Sequence, residues 1–455
     1  MNKIYTPLHS QARRCSSLML KRAKPLIKLS ENIRESLENK EITPRKHAGV
    51  VLRKAIAIPQ WVINALKIIV EDHPKQQLME DASKFYRHFQ GRHPPTEREE
   101  FNAKFEDIKR NLRQEKRYEN AMPEDEEEID KAVSGRALRL LRVNVQYNSS
   151  AIKYDSYTSI LYMMARSAPD YSIIYKIFHE IKSRDDGFEA KNLLDFGSGI
   201  GTVSWAAAEF WPTSLKEQVC IDASTDISEL AEKLVKYAEP KIHGIFHRQF
   251  LPVTPLPRFD IVVSAFTLFE LPDRKSRLQA ILALWRKTEN YLVLVEQGTH
   301  AGFKIINEAR DLILHLIESS SKREDDPQGY IFSPCPHEFK CPKISVDNGI
   351  PCNFQASYIP LSLKDARITR KERYSYVVFK KGGKCLDENE EKWSRVIQPT
   401  LVRSRHAICR MCVPNGELME VVFSKGKHER PLYYCARSSE WGDRLPIEIL
   451  PETQE

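Results

Sequence analysis

No run of this 455-residue chain is apolar for long enough to cross a membrane. The longest candidate, Trp61 to Val70, is broken by Asn64 and Lys67 and falls far short of the roughly 18 apolar residues a spanning helix needs. Acidic residues are missing from the start of the chain as well, the first being Glu31. Residues 1 to 30 hold seven basic side chains (Lys3, Arg13, Arg14, Lys21, Arg22, Lys24, Lys28) and four serines. They contain no apolar core of the length a secretory signal requires, so a secretory signal is not expected; a basic, serine-bearing, acid-free leader is the composition of a mitochondrial transit peptide. The matrix is the expected compartment, and no membrane partner is expected. In that reducing compartment the nine cysteines are expected to be thiols or metal ligands rather than disulfides.

A hydrophobic fraction of 41% excludes a wholly disordered chain, and the length predicts two to four domains. The net charge of +8 favours a polyanionic partner such as RNA, though charge alone is a weak argument in a matrix protein. Nothing argues for an oligomer, so a monomer is expected. His47 to Asp72 reads as a helix pair broken at Pro59, Arg98 to Lys131 as a charge-dense helical stretch running into the acidic Glu124 to Glu128, and Ala151 to Lys182 as a second, more apolar helix pair. These divisions predict a targeting segment over 1–30 and a helical N-terminal extension over 31–150. An α/β domain follows over 151–385, with a cysteine-rich insertion at 327–355, and a β-rich module over 386–455.

The run Asn192-Leu-Leu-Asp-Phe-Gly-Ser-Gly-Ile-Gly-Thr-Val-Ser-Trp has the pattern of a buried strand, a glycine-rich turn and the start of a helix. Gly197, Gly199 and Gly201 allow a sharp turn and close approach of the backbone to a ligand. A second strand, Gln218 to Ile221, ends at Asp222, placed where an acid accepts hydrogen bonds from ribose hydroxyls. A dinucleotide fingerprint would need Gly or Ala at position 202, where this chain has Thr202. Asp195-x-Gly197-x-Gly199-x-Gly201 instead resembles motif I of class I S-adenosylmethionine (SAM) methyltransferases, whose acid lies near the amino-acid end of the ligand. Arg258 to Pro272 and Tyr291 to Glu296 read as the fourth and fifth strands of that fold, so a Rossmann-like class I SAM-methyltransferase fold with parallel pairing is predicted.

Catalytic groups are harder to find. Where base-amino methyltransferases carry Asn/Asp-Pro-Pro-aromatic, this chain reads Ser264-Ala265-Phe266-Thr267, and no cysteine lies between Cys220 and Cys335 to attack a cytosine ring. Glu270, Glu296 and His300 are candidate bases, each more often structural than catalytic, and lost catalysis is a serious reading.

Seven cysteines fall late: Cys335, Cys341, Cys352, Cys385, Cys409, Cys412 and Cys435. Prolines flank Cys335, Cys341 and Cys352, and thiols in an irregular, proline-rich loop rarely serve a core. Four thiolates suit zinc or an iron-sulfur cluster; Cys409 and Cys412 both offer a fourth ligand, and the spacing leaves metal and fourth ligand open. Lys364 to Lys384 carries eight basic residues with Tyr374, Tyr376 and Phe379 interleaved, a pattern that suits phosphate neutralisation and stacking on unpaired bases. Arg403, Arg405, His406 and Arg410 could extend that surface.

In order along the chain, Leu194-Asp-Phe-Gly-Ser-Gly-Ile-Gly, Ser264-Ala-Phe-Thr-Leu-Phe-Glu-Leu-Pro, Glu296-Gln-Gly-Thr-His-Ala-Gly-Phe, Cys335-Pro-His with Cys341-Pro, and Trp441-Gly-Asp resemble the methyltransferase-like assembly factors of the mitochondrial small ribosomal subunit, from about residue 150 to 445. The resemblance implies SAM binding by Asp195, Gly197, Gly199, Gly201 and Asp222, and a four-iron four-sulfur (4Fe-4S) cluster. It implies attachment to maturing small-subunit rRNA beside other assembly factors, with methyl transfer open to being vestigial. Carried over position by position, Cys335, Cys341 and Cys352 match the first three ligands and Cys412 is preferred over Cys409 as the fourth. Cys385 and Cys435 are left out. Zinc in place of the cluster, an active rRNA methyltransferase, and an iron- or redox-sensing regulator of translation are the alternatives.

Overall fold

The computed structural model describes residues 26–92, 98–115, 126–149, 152–254, 256–320, 328–345, 350–361, 368–382 and 393–450. Most of the expected leader, Cys385, and Lys364, Arg367 and Lys384 of the basic segment lie outside the described residues. The chain opens with β1 (Leu26–Leu29), α1 (Glu31–Glu38), α2 (Gln60–Ile69), α3 (Lys75–Gln90), α4 (Arg98–Arg113), α5 (Glu126–Ser149) and α6 (Ser156–Arg184). It continues with β2 (Asn192–Phe196), α7 (Thr202–Phe210), β3 (Glu217–Ile221), α8 (Thr225–Val235), β4 (Ile245–Arg248), β5 (Phe259–Ala265), α9 (Arg274–Lys287), β6 (Thr288–Gln297) and α10 (His300–Ser320). Then come β7 (Gly329–Ser333), α11 (Pro342–Ser345), β8 (Phe354–Tyr358) and β9 (Arg370–Lys381). The last elements are β10 (Ser394–Val396), β11 (Leu401–Val402), β12 (His406–Cys412), β13 (Leu418–Ser424), α12 (Arg430–Ser438), β14 (Arg444–Leu445) and β15 (Ile447–Leu450).

The large sheet has the order β4-β3-β2-β5-β6-β9-β7, with β8 also pairing β9. Strands β2 to β6 are parallel, whereas β9 runs antiparallel to β6, β7 and β8. A parallel sheet needs cover on both faces, and the alternation of apolar side chains supplies it. Leu193, Val263 and Val293 face one core with Trp205 of α7 and Ile174 of α6; Leu194, Val262 and Leu292 face the other with Leu284 of α9 and Ile313 of α10. Five parallel strands followed by a reversed strand inserted before the sixth is the class I SAM-methyltransferase arrangement.

Three expectations change. The predicted pair over 151–182 is one 29-residue helix, α6, with Pro169 inside it. An internal proline costs a helix about 3 kcal/mol, and here burial along both flanks, from Ile160 and Met163 to Ile177 and Ile181, outweighs that. The first half of the other predicted pair is not helical: the chain around Ile56 forms a bridge to Tyr358 and only α2 follows Pro59. The start of the chain is not purely a helical extension either. β1 pairs with β15, and Leu29 and Ile33 enter the core of the terminal module with Met411, Phe423 and Tyr433, so this body is built from both ends of the sequence.

Asp155 caps α6, its carboxylate accepting the Thr158 backbone N–H at 2.8 Å. Asp155→Ala is expected to cost about 1 kcal/mol in urea unfolding; an unchanged midpoint would show that the cap contributes nothing. Farther along α6 the fully buried Arg166 donates to Glu372 of β9 at 2.8 Å and to Asp170. Tyr86 of α3 donates to the same Glu372 at 2.6 Å. A buried charge is tolerable only when paired and hydrogen-bonded, and this set ties the N-terminal helices to the sheet.

Candidate cofactor cavity and cysteine site

The C-terminal end of β2 passes into a turn whose glycines all have positive φ, +76 at Gly197, +52 at Gly199 and +90 at Gly201. The N–H groups of Gly197 and Ser198 donate to Ile221 O at 2.7 and 3.0 Å, which pins the turn to the end of β3. A Cβ on Gly197 would lie 2.0 Å from Thr267 Oγ1, so here the Thr267 side chain in the loop after β5 fills the space a side chain would need. Asp222 shapes the turn from beneath, accepting the N–H of Gly199 at 2.9 Å and of Ser224 at 3.0 Å.

Above them lies a cavity of about 640 Å³ whose walls include Gly197, Gly199, Asp222, Tyr162, Phe266 and Glu270. Gly201 is off the wall, as the left-handed residue that starts α7. Asp195 is also off the wall, 1% exposed, and neither of its carboxylate oxygens has a hydrogen-bond partner. Burial, and then the charge of Asp222, push its carboxyl well above the usual carboxylate range. An orphaned buried acid beneath a glycine turn fits a ligand that carries a cationic group.

None of the candidate bases stands free over this cavity. Glu270 is on the wall but is paired with Arg92, whose Nη2 donates to it at 3.0 Å. His300 is exposed at the start of α10. Glu296 is fully buried at the end of β6, where Oε1 accepts the N–H groups of Leu268 at 2.8 Å and Phe269 at 3.3 Å. Arg92 was invisible in the sequence, being one of many charges in a polar stretch. Only the packing of α3 against α6 carries it to the cavity.

Burial pushes the Glu296 carboxyl up to about 8, with the two backbone N–H groups opposing the rise. An unfolded Glu titrates near 4.3. The stability that Glu296 contributes is therefore complete below about pH 4.3 and is lost as pH rises toward 8, because over that window only the unfolded chain readily releases the proton. Glu296→Gln, which keeps the accepting oxygen, is expected to gain on wild type by up to about 1.4 kcal/mol per pH unit across the window. Urea titrations at pH 5 and pH 8 showing the same difference would contradict it.

A separate small cavity of about 20 Å³ is lined by Cys335, Cys341, Cys352 and Cys412, together with His337 and Arg395. Cys335 follows β7, Cys352 precedes β8, and Cys412 ends β12, so the first three belong to the α/β domain and the fourth to the terminal module. His337 Nε2 lies 3.2 Å from Cys412 Sγ; the Cys-Pro-His spelling was the signal that could have singled it out. Burial first, and then the neighbouring thiols, push Cys341 up to about 11 and Cys352 and Cys412 higher still. The buried guanidinium of Arg310 donates to the carbonyls of His337 and Phe339 and acts on Cys335 and Cys341. Cys409 points the other way on β12, into the terminal core, with its Sγ 3.5 Å from Ala436 O. No disulfide joins the described cysteines. Among the described residues no group of three or more His, Cys, Asp or Glu side chains is arranged to hold a metal ion. The four thiols share a cavity without being drawn into the shell of a single ion.

The basic, aromatic segment departs from its expected role. Tyr374, Tyr376 and Phe379 are buried, because β9 is an interior strand and its aromatic side chains serve the two cores. Lys380 pairs with Asp185 at 2.7 Å, and Lys381 donates to Thr288 O at 2.8 Å. Arg370, Lys371 and Arg373 remain exposed at the start of the strand, as do Arg403 and Arg405 in the terminal module.

The family model for the mitochondrial small ribosomal subunit protein Rsm22 matches residues 156–446. The human protein named ribosome assembly protein METTL17, mitochondrial, is 36% identical over 408 residues, covering 89% of this chain and 86% of that protein. The Rsm22-cox11 tandem protein 2, mitochondrial, of Schizosaccharomyces pombe is 26% identical over 331 residues, covering 64% of this chain and 43% of the longer tandem protein. Among solved structures, the magnesium protoporphyrin IX methyltransferase of Synechocystis, with bound SAM, superposes at a TM-score of 0.28 and 11% identity, covering 53% of this chain and 90% of that one.

Proposed function

Because the chain belongs to the mitochondrial small ribosomal subunit Rsm22 family, we propose that it is a mitochondrial ribosome assembly protein that binds small-subunit rRNA in the matrix, as a monomer beside other assembly factors. Its methyltransferase fold serves as a SAM-binding scaffold whose catalysis has been lost, and a 4Fe-4S cluster on Cys335, Cys341, Cys352 and Cys412 joins that fold to the terminal module.

The observation that carries this reading is the convergence of four thiols from two separate bodies on one small cavity. Four thiols around one small cavity would repel one another on ionising, as the raised titration of Cys341, Cys352 and Cys412 indicates; a cluster takes up their negative charge, with Arg310 and Arg395 alongside. Four cysteines are a donor set that suits a cluster or zinc alike, and iron and acid-labile sulfide analysis of anaerobically purified protein separates the two. The cluster would supply a rigid crosslink, and the residues would do the recognising. For the cofactor, the orphaned Asp195 suits the amino-acid end of SAM and Asp222 its ribose. The pairing of Glu270 with Arg92 supports lost catalysis. A targeting segment ending before Leu26 is favoured over one ending at residue 30, since β1 is a strand of the terminal body.

Ultraviolet crosslinking of the tagged protein in mitochondria tests the reading. Recovery of small-subunit rRNA at least tenfold above large-subunit rRNA is expected; equal recovery of the two would refute it.

A further inference from the structure

A second large cavity, of about 490 Å³, opens on the seam where the N-terminal segment, α6, the β8–β9 edge and the end of α12 meet. Five basic side chains reach its wall, Arg45, Arg53, Lys176, Lys371 and Arg437, against one acid, Glu440. They come from four distant parts of the sequence, so no run or motif announces them. Arg53 is neutralised from behind by the buried Asp443 at 2.6 Å. Arg437 donates only to a carbonyl and a phenol, Arg403 O at 2.6 Å and Tyr433 Oη at 3.1 Å, and Lys176 Nζ only to Gln355 O at 2.8 Å. Neither arrangement cancels a charge. Arg45 and Lys371 are exposed and make no ion pair among the described residues. Withdrawal from water lowers Lys176 to about 8, even with the charges of Asp443, Glu180 and Glu440 opposing the fall; an anion in the cavity would oppose it further.

Such a gathering of like charge is costly unless something opposes it, and the shape of the site says what. Arginine forks and a lysine point charge around one concavity suit the several oxygens of a phosphate, and the hydroxyls of Ser357 and Thr400 on the same wall can add neutral hydrogen bonds. The volume is that of an ordinary small-molecule pocket. Trp441 also lines it, and its indole Nε1–H is buried without a hydrogen-bond partner. We propose that this cavity is a nucleotide phosphate site, taking either a strand phosphate of RNA or the phosphate of a free nucleotide. The site is separate from the glycine-turn cavity and from the thiols, and it goes beyond the assembly role, which would stand without it.

The test is titration of the full chain with AMP, adenosine and a hexanucleotide RNA, in wild type, Lys176→Met and Arg45→Ala. Arg45 is exposed, so its replacement leaves the fold intact even if Lys176→Met does not. One charge-assisted contact is worth roughly tenfold in affinity. AMP binding that exceeds adenosine binding and falls about tenfold in either variant supports the site with a free nucleotide as its source. A hexanucleotide affinity that falls about tenfold while AMP fails to bind supports it with strand phosphate as the source. If neither substitution weakens either probe, the proposal is overturned.

Discussion

Cys341→Ser is expected to purify without iron or acid-labile sulfide and to bind small-subunit rRNA at least tenfold more weakly than wild type, with the α/β sheet still folded. Cys341 is buried and shares its cavity with Cys335 and Cys352 of the same insertion and with Cys412 from the terminal module. On the proposed cluster, a serine there would remove one of four thiolate ligands. The rest of the seam would persist. Arg395 donates to Glu180 at 2.6 Å and to Pro334 O at 3.0 Å, and the N-terminal segment holds the terminal module through Val51 N–H on Asp443 at 3.0 Å. The fold would survive on these contacts, while the surface that carries the exposed arginines of β9 loses the crosslink that stiffens it. Two further variants sharpen the measurement. Cys412→Ser is expected to behave like Cys341→Ser, whereas Cys409→Ser, on the opposite side of β12, is expected to keep its metal. Iron and sulfide analysis of anaerobically purified protein, circular dichroism and RNA titration read all of these outcomes. Wild-type RNA affinity in metal-free Cys341→Ser would end the idea that the cluster sets the RNA-binding surface.

Gly199→Arg is expected to weaken SAM binding at least a hundredfold and yet to support small-subunit assembly in cells lacking the protein. Gly199 is the better of the two wall glycines for this purpose. A Cβ on it meets nothing nearer than Tyr162 Cε1 at 3.6 Å, whereas one on Gly197 would strike Thr267. The positive φ of Gly199 adds roughly 1–2 kcal/mol of strain for a side chain, which a domain with two full cores can absorb. The arginine would then project into the cavity and occupy the space of the ligand. Rescue by a variant that accumulates normally, together with calorimetry showing no SAM binding, would establish a scaffold whose cofactor site is dispensable. Failure to rescue at normal abundance would make occupancy essential and return methyl transfer to contention.

The α/β domain was legible because its signals are local. A buried strand, a glycine turn and a helix start follow one another within residues 192 to 210, and the acid that ends β3 falls at a fixed interval beyond them. The apolar strand cores around Val262 and Val293 are continuous because both faces are covered, a pattern that survives in one dimension. The thiols stood out for the same kind of reason: prolines on both sides of Cys335, after Cys341 and before Cys352 leave little hydrophobic purpose for them. Pattern reading failed where burial in three dimensions overrode local preference. Pro169 should have ended a helix, and Tyr374, Tyr376 and Phe379 should have faced solvent between basic neighbours. Both expectations gave way to packing along α6 and β9, which no window of sequence contains.

By itself, then, the sequence determined the fold of the central domain, the glycine turn with its two acids and the set of late cysteines, since each rests on residues close together in the chain. Tertiary structure alone decided that Cys412 and not Cys409 faces the other three thiols, because strand alternation sends neighbouring side chains to opposite faces and only the docking of the terminal module says which face is which. It alone brought Arg92 onto Glu270, joined Leu26–Leu29 to Ile447–Leu450, and gathered five scattered cations around one cavity. Contacts between residues hundreds of positions apart are set by how whole elements pack, and packing energy belongs to surfaces, which a linear pattern does not record.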